Sequence, residues 1–266
     1  MSTLKVNSII PVSGVPTGGG GGIIQAKQAI KTDVFSTTAN SGDIASIDIL
    51  KDSRVDKNQS LMKKISRLSI TPQFYKKDSF YQKYPDIRAQ GIVVSFYGDV
   101  LKKDIPDLTH SNDICLLALD QIEDPQNFGQ IIRTAECAGI HGIIFPKHHS
   151  VPITNSVLQV SQGAFVNVSL YEVTNLKHSF SDLKNNGFWI VGVENSIESK
   201  TWDKIDYKGK TVIVVGSEGR GIRKKVLETC DYKATIPMQG ITNSLNVSAT
   251  VSAIVFERLR QIQNNN

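Results

Sequence analysis

The chain has 266 residues, 40% of them hydrophobic, and a formal net charge of +5. That length allows one or two cored domains, and its longest apolar runs are strand-sized, far short of the roughly 20 residues of a membrane span. The excess of Lys and Arg suits a nucleic-acid partner, because cations on a protein displace counterions from phosphates; a slightly basic solvated surface accounts for it equally well. Cys115, Cys137 and Cys230 are odd in number, and their spacing fits neither a zinc site nor a disulfide framework. With no basic-then-apolar order at the N-terminus, a cytoplasmic location is expected.

Residues 1–43 are rich in Gly, Ser and Thr and contain five consecutive glycines, Gly18 to Gly22. Such a run reads as a linker, with short strands possible at Leu4-Lys5-Val6-Asn7 and Ile23-Ile24-Gln25. The opening residues resemble the start of phage tail-fibre and other virion-attachment proteins, which implies a viral product, a fusion or an artefact of assembly or gene calling. Residues 44–98 read as a small α/β unit. Its strands are expected at 44–50, 72–75 and 91–96, and its helices at 58–68 and 78–84. Leu61, Met62, Ile65 and Leu68 fall at helical spacing. Residues 99–113 are polar, contain Pro106 and read as a linker.

From 114 to 266 the pattern alternates. Apolar strands are expected at 114–119, 142–145, 188–193 and 211–215. Helices are expected at 129–138, 154–162, 175–186, 222–228 and 245–261. Apolar strands separated by helices imply a parallel sheet covered on both faces. Ligands of such sheets lie at the carboxyl ends of strands, so the informative residues belong in the loops there.

Three loops stand out. The first runs Asp120-Gln121-Ile122-Glu123-Asp124-Pro125-Gln126-Asn127-Phe128-Gly129 and leads to Arg133-Thr134-Ala135. Asp124-Pro125 makes a turn, Asn127 can cap the helix, Gly129 permits a close approach, and Arg133 one turn later can face the same cleft. A capped helix with a surface arginine fits as well. The second is Gly216-Ser217-Glu218-Gly219-Arg220-Gly221-Ile222-Arg223. Its glycines follow G-x-x-G-x-G, so the dinucleotide fingerprint fails, as does the P-loop. The loop gathers backbone N–H groups, the Glu218 carboxylate, Arg220 and Arg223. The third spans Ile236-Pro237-Met238-Gln239-Gly240-Ile241-Thr242-Asn243-Ser244-Leu245-Asn246-Val247-Ser248. Ser244 and Asn246 are helix-capping types. The loop also suits an adenine-bearing cofactor, with Ile236, Met238 and Leu245 against the ring.

Together, in this order, the three loops resemble those of the SpoU/TrmH-type RNA ribose 2′-O-methyltransferases of the SPOUT superfamily. The resemblance covers about residues 114–262, and residues 44–98 resemble the small RNA-substrate-binding domain of the rRNA members. It implies a parallel α/β sheet with a C-terminal trefoil knot and a methyl donor, S-adenosyl-L-methionine. Gly216, Ile236, Met238 and Leu245 are then the cofactor contacts. Asn127, Arg133, Glu218, Ser244 and Asn246 are the active-site polar set. The implied partners are RNA, most readily a guanosine of large-subunit rRNA with tRNA as the alternative, and a second copy in a homodimer through the last helix.

The chemistry constrains the roles. The ribose oxygen must be aligned with the donated methyl and must lose a proton. An arginine is almost never neutral, so Arg133 is read as a cation for a phosphate or developing alkoxide. Glu218 or a phosphate oxygen then receives the proton, with Asn127 and Ser244 as orienting groups. No metal is required, and His148-His149 reads as an exposed loop. The competing readings are a catalytically silent RNA-binding relative and a virion-associated protein.

Overall fold

In the computed structural model, the apolar runs of the C-terminal half become inner strands of one eight-stranded sheet. The structure describes residues 21–25, 44–68, 70–85, 91–97, 100–105, 112–195 and 199–264. The expected strand at residues 4–7 lies outside them. Two compact units are present: residues 1–100 with 153–167, and residues 101–152 with 168–266.

The first unit holds a four-stranded sheet made of β1 (Gly21–Gln25), β2 (Ile44–Leu50), β3 (Gln73–Tyr75) and β4 (Ile92–Tyr97), ordered β1-β4-β2-β3. The last two glycines of the five-glycine run therefore belong to a strand, paired antiparallel with Phe96 and Tyr97 of β4. Helix α1 (Gln59–Ile65) is capped by Asn58, whose side chain accepts from Leu61 N, and it buries Leu61 and Ile65. Helix α2 (Lys77–Lys83) places Phe80 in a cluster with Tyr84 and Val93. The buried Asp48 carboxylate accepts from the Lys83 ammonium at 3.1 Å and from the Tyr84 hydroxyl. Helix α4 (Asn155–Ser161) and a 3-10 turn at Ala164–Val166 also fall in this unit.

The second unit contains β5 (Leu101–Lys102), β6 (Ile114–Asp120), β7 (Gly142–Pro146), β8 (Ser169–Val173), β9 (Trp189–Val193), β10 (Lys200–Thr201), β11 (Lys210–Gly216) and β12 (Tyr232–Thr235). Their order is β10-β12-β9-β11-β6-β7-β8-β5. Every neighbouring pair is parallel. β5 lies inside the stretch read as a linker. β8 is a strand the periodicity did not reveal, because Ser169 and Glu172 interrupt its apolar residues.

Helices α5 (Leu176–Asn185) and α6 (Lys224–Leu227) cover one face. There Leu176, Phe180, Leu183, Val226 and Leu227 meet Leu116, Ala118, Ile190, Val212 and Val214. Helices α3 (Pro125–Cys137) and α7 (Val247–Gln263) pack on each other, and α7 also packs on β11. Phe128 of α3 meets Phe145 edge-on, with ring centroids 5.1 Å apart. At the far end of α7, the buried Arg258 is paired to Asp113 at 2.5 Å, which anchors the helix beside the start of β6. No described helix is long and apolar enough to cross a membrane.

The strand order carries the functional consequence. From β6 the chain runs outward through β7 and β8, and then crosses to the other side of β6 for β9 to β12. β6 and β11 are thus neighbours at the switch point, and their last residues, Asp120 and Gly216, are register partners. A crevice outside the carboxyl ends of two such strands is where open α/β sheets bind ligands.

Candidate functional site

The first two loops emerge at this switch point, and the third, which leaves β12 two strands away, returns to it at Asn246. In the first, Asp124 is the helix cap and not Asn127. The Asp124 carboxylate accepts from Gln126 N at 3.2 Å and Asn127 N at 3.0 Å, and Pro125 follows at the first helical position, where its missing N–H and fixed φ fit. Capping by Asp124 frees the Asn127 amide to reach outward. Gly129 is buried on the inner side of α3, so it does not border the cleft.

Asn127 meets the other two loops. Its Nδ2 donates to Glu218 Oε1 at 3.3 Å, and its Oδ1 accepts from Asn246 Nδ2 at 3.0 Å. Asn246 Nδ2 also donates to Glu218 Oε1, which accepts a further bond from Val247 N at 3.3 Å. Asn246 caps α7 with its other amide atom: Oδ1 accepts from Ser248 N at 2.9 Å and Ser248 Oγ at 2.6 Å. Three residues far apart in sequence thus form one triangle around a carboxylate. Glu218 Oε2 has no hydrogen-bond partner among the described residues and remains able to accept another proton donor.

The Gly-rich loop is held by two carboxylates that sequence reading left without a role. Asp120, fully buried, accepts from Arg223 N at 2.8 Å, from Arg223 Nε at 2.8 Å and from a terminal guanidinium nitrogen at 2.6 Å. Arg223 is therefore committed to the loop itself. Glu194, just past β9, accepts from Ile222 N at 3.1 Å. Gly221 sits in the left-handed region at φ +66°, and a Cβ there would strike the Glu194 carboxylate. At Gly216 a Cβ would overlap the Gly221 backbone, so the turn closes on itself only with glycine at that position. Asn195 does the same service for the third loop, its Oδ1 accepting from Thr235 Oγ1 and Ile236 N, both at 3.0 Å. The available signal for these groups was a charged or amide residue placed directly after an apolar strand.

Two cavities flank Glu218. The larger, about 450 Å³, is lined by Val193, Gly216, Glu218, Ser244 and Leu245 together with the rest of the Gly-rich loop. The smaller, about 210 Å³, lies between Glu123, Asp124, Asn127, Glu218, Arg220 and Val247. Ile236 and Met238, both half-buried, are not in the lining of either. Arg133 is not in the triangle. It lies six residues beyond Asn127, about 120° around the helix, exposed, and without an ion pair or hydrogen bond among the described residues. His148 and His149 are exposed in the loop after β7. Among the described residues, no group of three His, Cys, Asp or Glu could hold a metal ion.

Residues 115–256 match the family model described as the SpoU rRNA Methylase family. A Staphylococcus saprophyticus protein named for the TrmH family of tRNA/rRNA methyltransferases is 42% identical over 146 residues, 55% of this chain and 58% of that protein. The chain thus spans little more than half the length of that relative. An uncharacterized tRNA/rRNA methyltransferase of Mycoplasma pneumoniae is 33% identical over 216 residues, 79% of this chain and 89% of the other. In overall fold the chain resembles the SpoU methyltransferase AviRb of Streptomyces viridochromogenes, solved with AdoMet, at a TM-score of 0.70 and 19% identity over 87% of this chain and 88% of that one.

Proposed function

The chain belongs to the SpoU rRNA methylase family, and from that premise we propose that it transfers a methyl group from S-adenosyl-L-methionine to a ribose 2′-hydroxyl of RNA. The observation that carries this reading is the position of Glu218, one carboxylate on the wall of two adjacent cavities. One cavity is for the methyl donor and the other for the ribose.

The larger cavity fits the donor. Its volume is within the few hundred Å³ typical of small-molecule sites. Its wall combines the backbone-rich Gly216–Gly221 turn with Leu245, an apolar side chain left 42% exposed that an adenine ring would cover. Gly216, Ser244 and Leu245 hold the cofactor in this reading, with Ile236 and Met238 supporting the loop from outside the lining. When bound, S-adenosyl-L-methionine supplies an activated sulfonium methyl.

The chain's own residues handle the hydroxyl. Asn127 and Asn246 fix Glu218 through Oε1, leaving Oε2 to accept the 2′-hydroxyl proton. Arg133 serves as a cation for the neighbouring phosphate. Because it is remote from the triangle on its own helix, it acts in a site shared across a homodimer, with Phe256 of α7, 46% exposed, at the interface. The substrate is read as a guanosine of large-subunit rRNA, with residues 44–98 as its docking domain and the C-terminal segment threaded as a trefoil knot. A tRNA ribose is the second reading, since both relatives above carry tRNA/rRNA in their names.

The test is ribose-methylation mapping of rRNA and tRNA from cells with and without the gene, alongside methyl transfer from labelled donor to each RNA in vitro. A mark that appears at a ribose only when the protein is present is the expected result. Methyl groups found on bases alone would overturn the ribose assignment.

A further inference from the structure

Trp189 opens β9 and Tyr232 opens β12. Tyr232 is the register partner of Val191, two residues beyond Trp189, so both rings project from the same face of the sheet. Their centroids are 5.7 Å apart at an interplanar angle of 49°. Trp189 is 54% exposed and Tyr232 37%. The ammonium of Lys200, on β10, sits 5.6 Å from the centre of the Tyr232 ring.

Both rings stay largely at the surface while the next four residues of β9 are buried, and a tryptophan left half in water contributes little of its burial energy. The charge seen beside the rings is positive. Asp231 is occupied by Lys184 at 2.7 Å and by Ile190 N at 2.9 Å. Lys200 has no ion pair among the described residues. Two tilted aromatic faces beside an ammonium match the stacked bases and phosphates of single-stranded nucleic acid. A second copy of the chain is a poorer fit, because a two-fold contact would set Lys200 against its own copy.

We propose that Trp189, Tyr232 and Lys200 form a stacking platform for single-stranded RNA that flanks the modified nucleotide. The proposal rests on the reading of RNA as substrate. Val193, which lines the larger cavity, is four residues along β9 from Trp189, about 13 Å at the rise of a strand. The platform therefore engages nucleotides beyond the one that is methylated.

The test uses the full chain with Trp202→Phe, which leaves Trp189 as the single tryptophan. An oligouridylate of about ten nucleotides is titrated in while Trp189 emission is followed. Saturable, salt-sensitive quenching is expected. Trp189→Ala in the wild-type chain, and Lys200→Glu separately, should each weaken oligonucleotide binding by about tenfold, with donor binding and sedimentation unchanged. Lys200 is an exposed edge residue, so its variant folds whether or not the tryptophan variant does. Absence of quenching, or unchanged binding in the Lys200 variant, overturns the platform. So does an emission change that follows protein concentration without RNA, which assigns the rings to self-association. Methyl transfer to RNA without quenching overturns the platform alone. Quenching without transfer to any RNA supports the platform and overturns the functional reading.

Discussion

Asn246 Nδ2 donates to Asn127 Oδ1 at 3.0 Å while Asn246 Oδ1 caps α7 through Ser248 N at 2.9 Å. One amide thus starts a helix and ties it to the first loop. The two duties separate by substitution. Asn246→Ser keeps a capping oxygen but is too short to bridge to Asn127 and Glu218. It should leave the melting temperature near wild type and remove most methyl transfer. Asn246→Ala should lose activity and also about 1 kcal/mol of stability. An active Ser variant would take Asn246 out of the catalytic set.

Arg223 and Asp120 set the shape of the Gly-rich loop. Asp120→Asn removes the charge from three bonds to Arg223 that include one to its backbone. The expected cost is on the order of 2 kcal/mol, and donor binding should weaken because Gly216 begins the same loop. Calorimetry for the donor and a urea titration measure both effects. Undiminished donor affinity in a destabilised variant would separate the clamp from the cavity.

Gly216→Ala tests the self-closing turn more directly. The added methyl overlaps the Gly221 backbone, which has no flexible end to yield. About 1–3 kcal/mol of destabilisation is expected, together with loss of donor binding. A variant that binds the donor normally would show that the turn can open.

His141 gives a pH dependence. Partial desolvation of this surface imidazole, and then the Arg258 cation, lower its pKa from 6.5, and its Nδ1 accepts from Cys115 N at 3.2 Å. The unfolded chain takes up this proton at higher pH than the folded one. The stability it contributes is therefore complete above 6.5 and is lost as pH falls through the lower folded value. His141→Gln should flatten that fall in stability below pH 6.5 in urea unfolding. An identical profile in both proteins would refute the assignment.

Association through α7 is tested at Phe256 and not at Ile254, which is fully buried in the chain's own core. Phe256→Glu should sediment as a monomer with intact fold and reduced methyl transfer. A wild-type chain that is monomeric and fully active at micromolar concentration would remove the shared site.

Cys137 alone of the three thiols is exposed, and burial pushes Cys115 and Cys230 up to about 12. Iodoacetamide should label only Cys137 in the native protein and all three after unfolding, as peptide mass spectrometry would read out.

The sequence by itself determined the alternating strands and helices from 114 onward and the three loops that carry polar residues after apolar strands. Those are local properties, set by the period of burial and by turn chemistry over ten or so residues. It missed β8, whose polar residues hid a strand seated between β7 and β5. It also gave the capping role to Asn127, because Asp124 and Asn127 are both capping types and only the backbone distinguishes them. The switch point was decided by the tertiary structure alone. Strand order brings Asp120 beside Gly216, Glu194 against Gly221, and Asn127, Glu218 and Asn246 onto one carboxylate. None of those pairings has a period, since each joins residues 27 to 119 positions apart through a parallel sheet whose order is not the order of the chain.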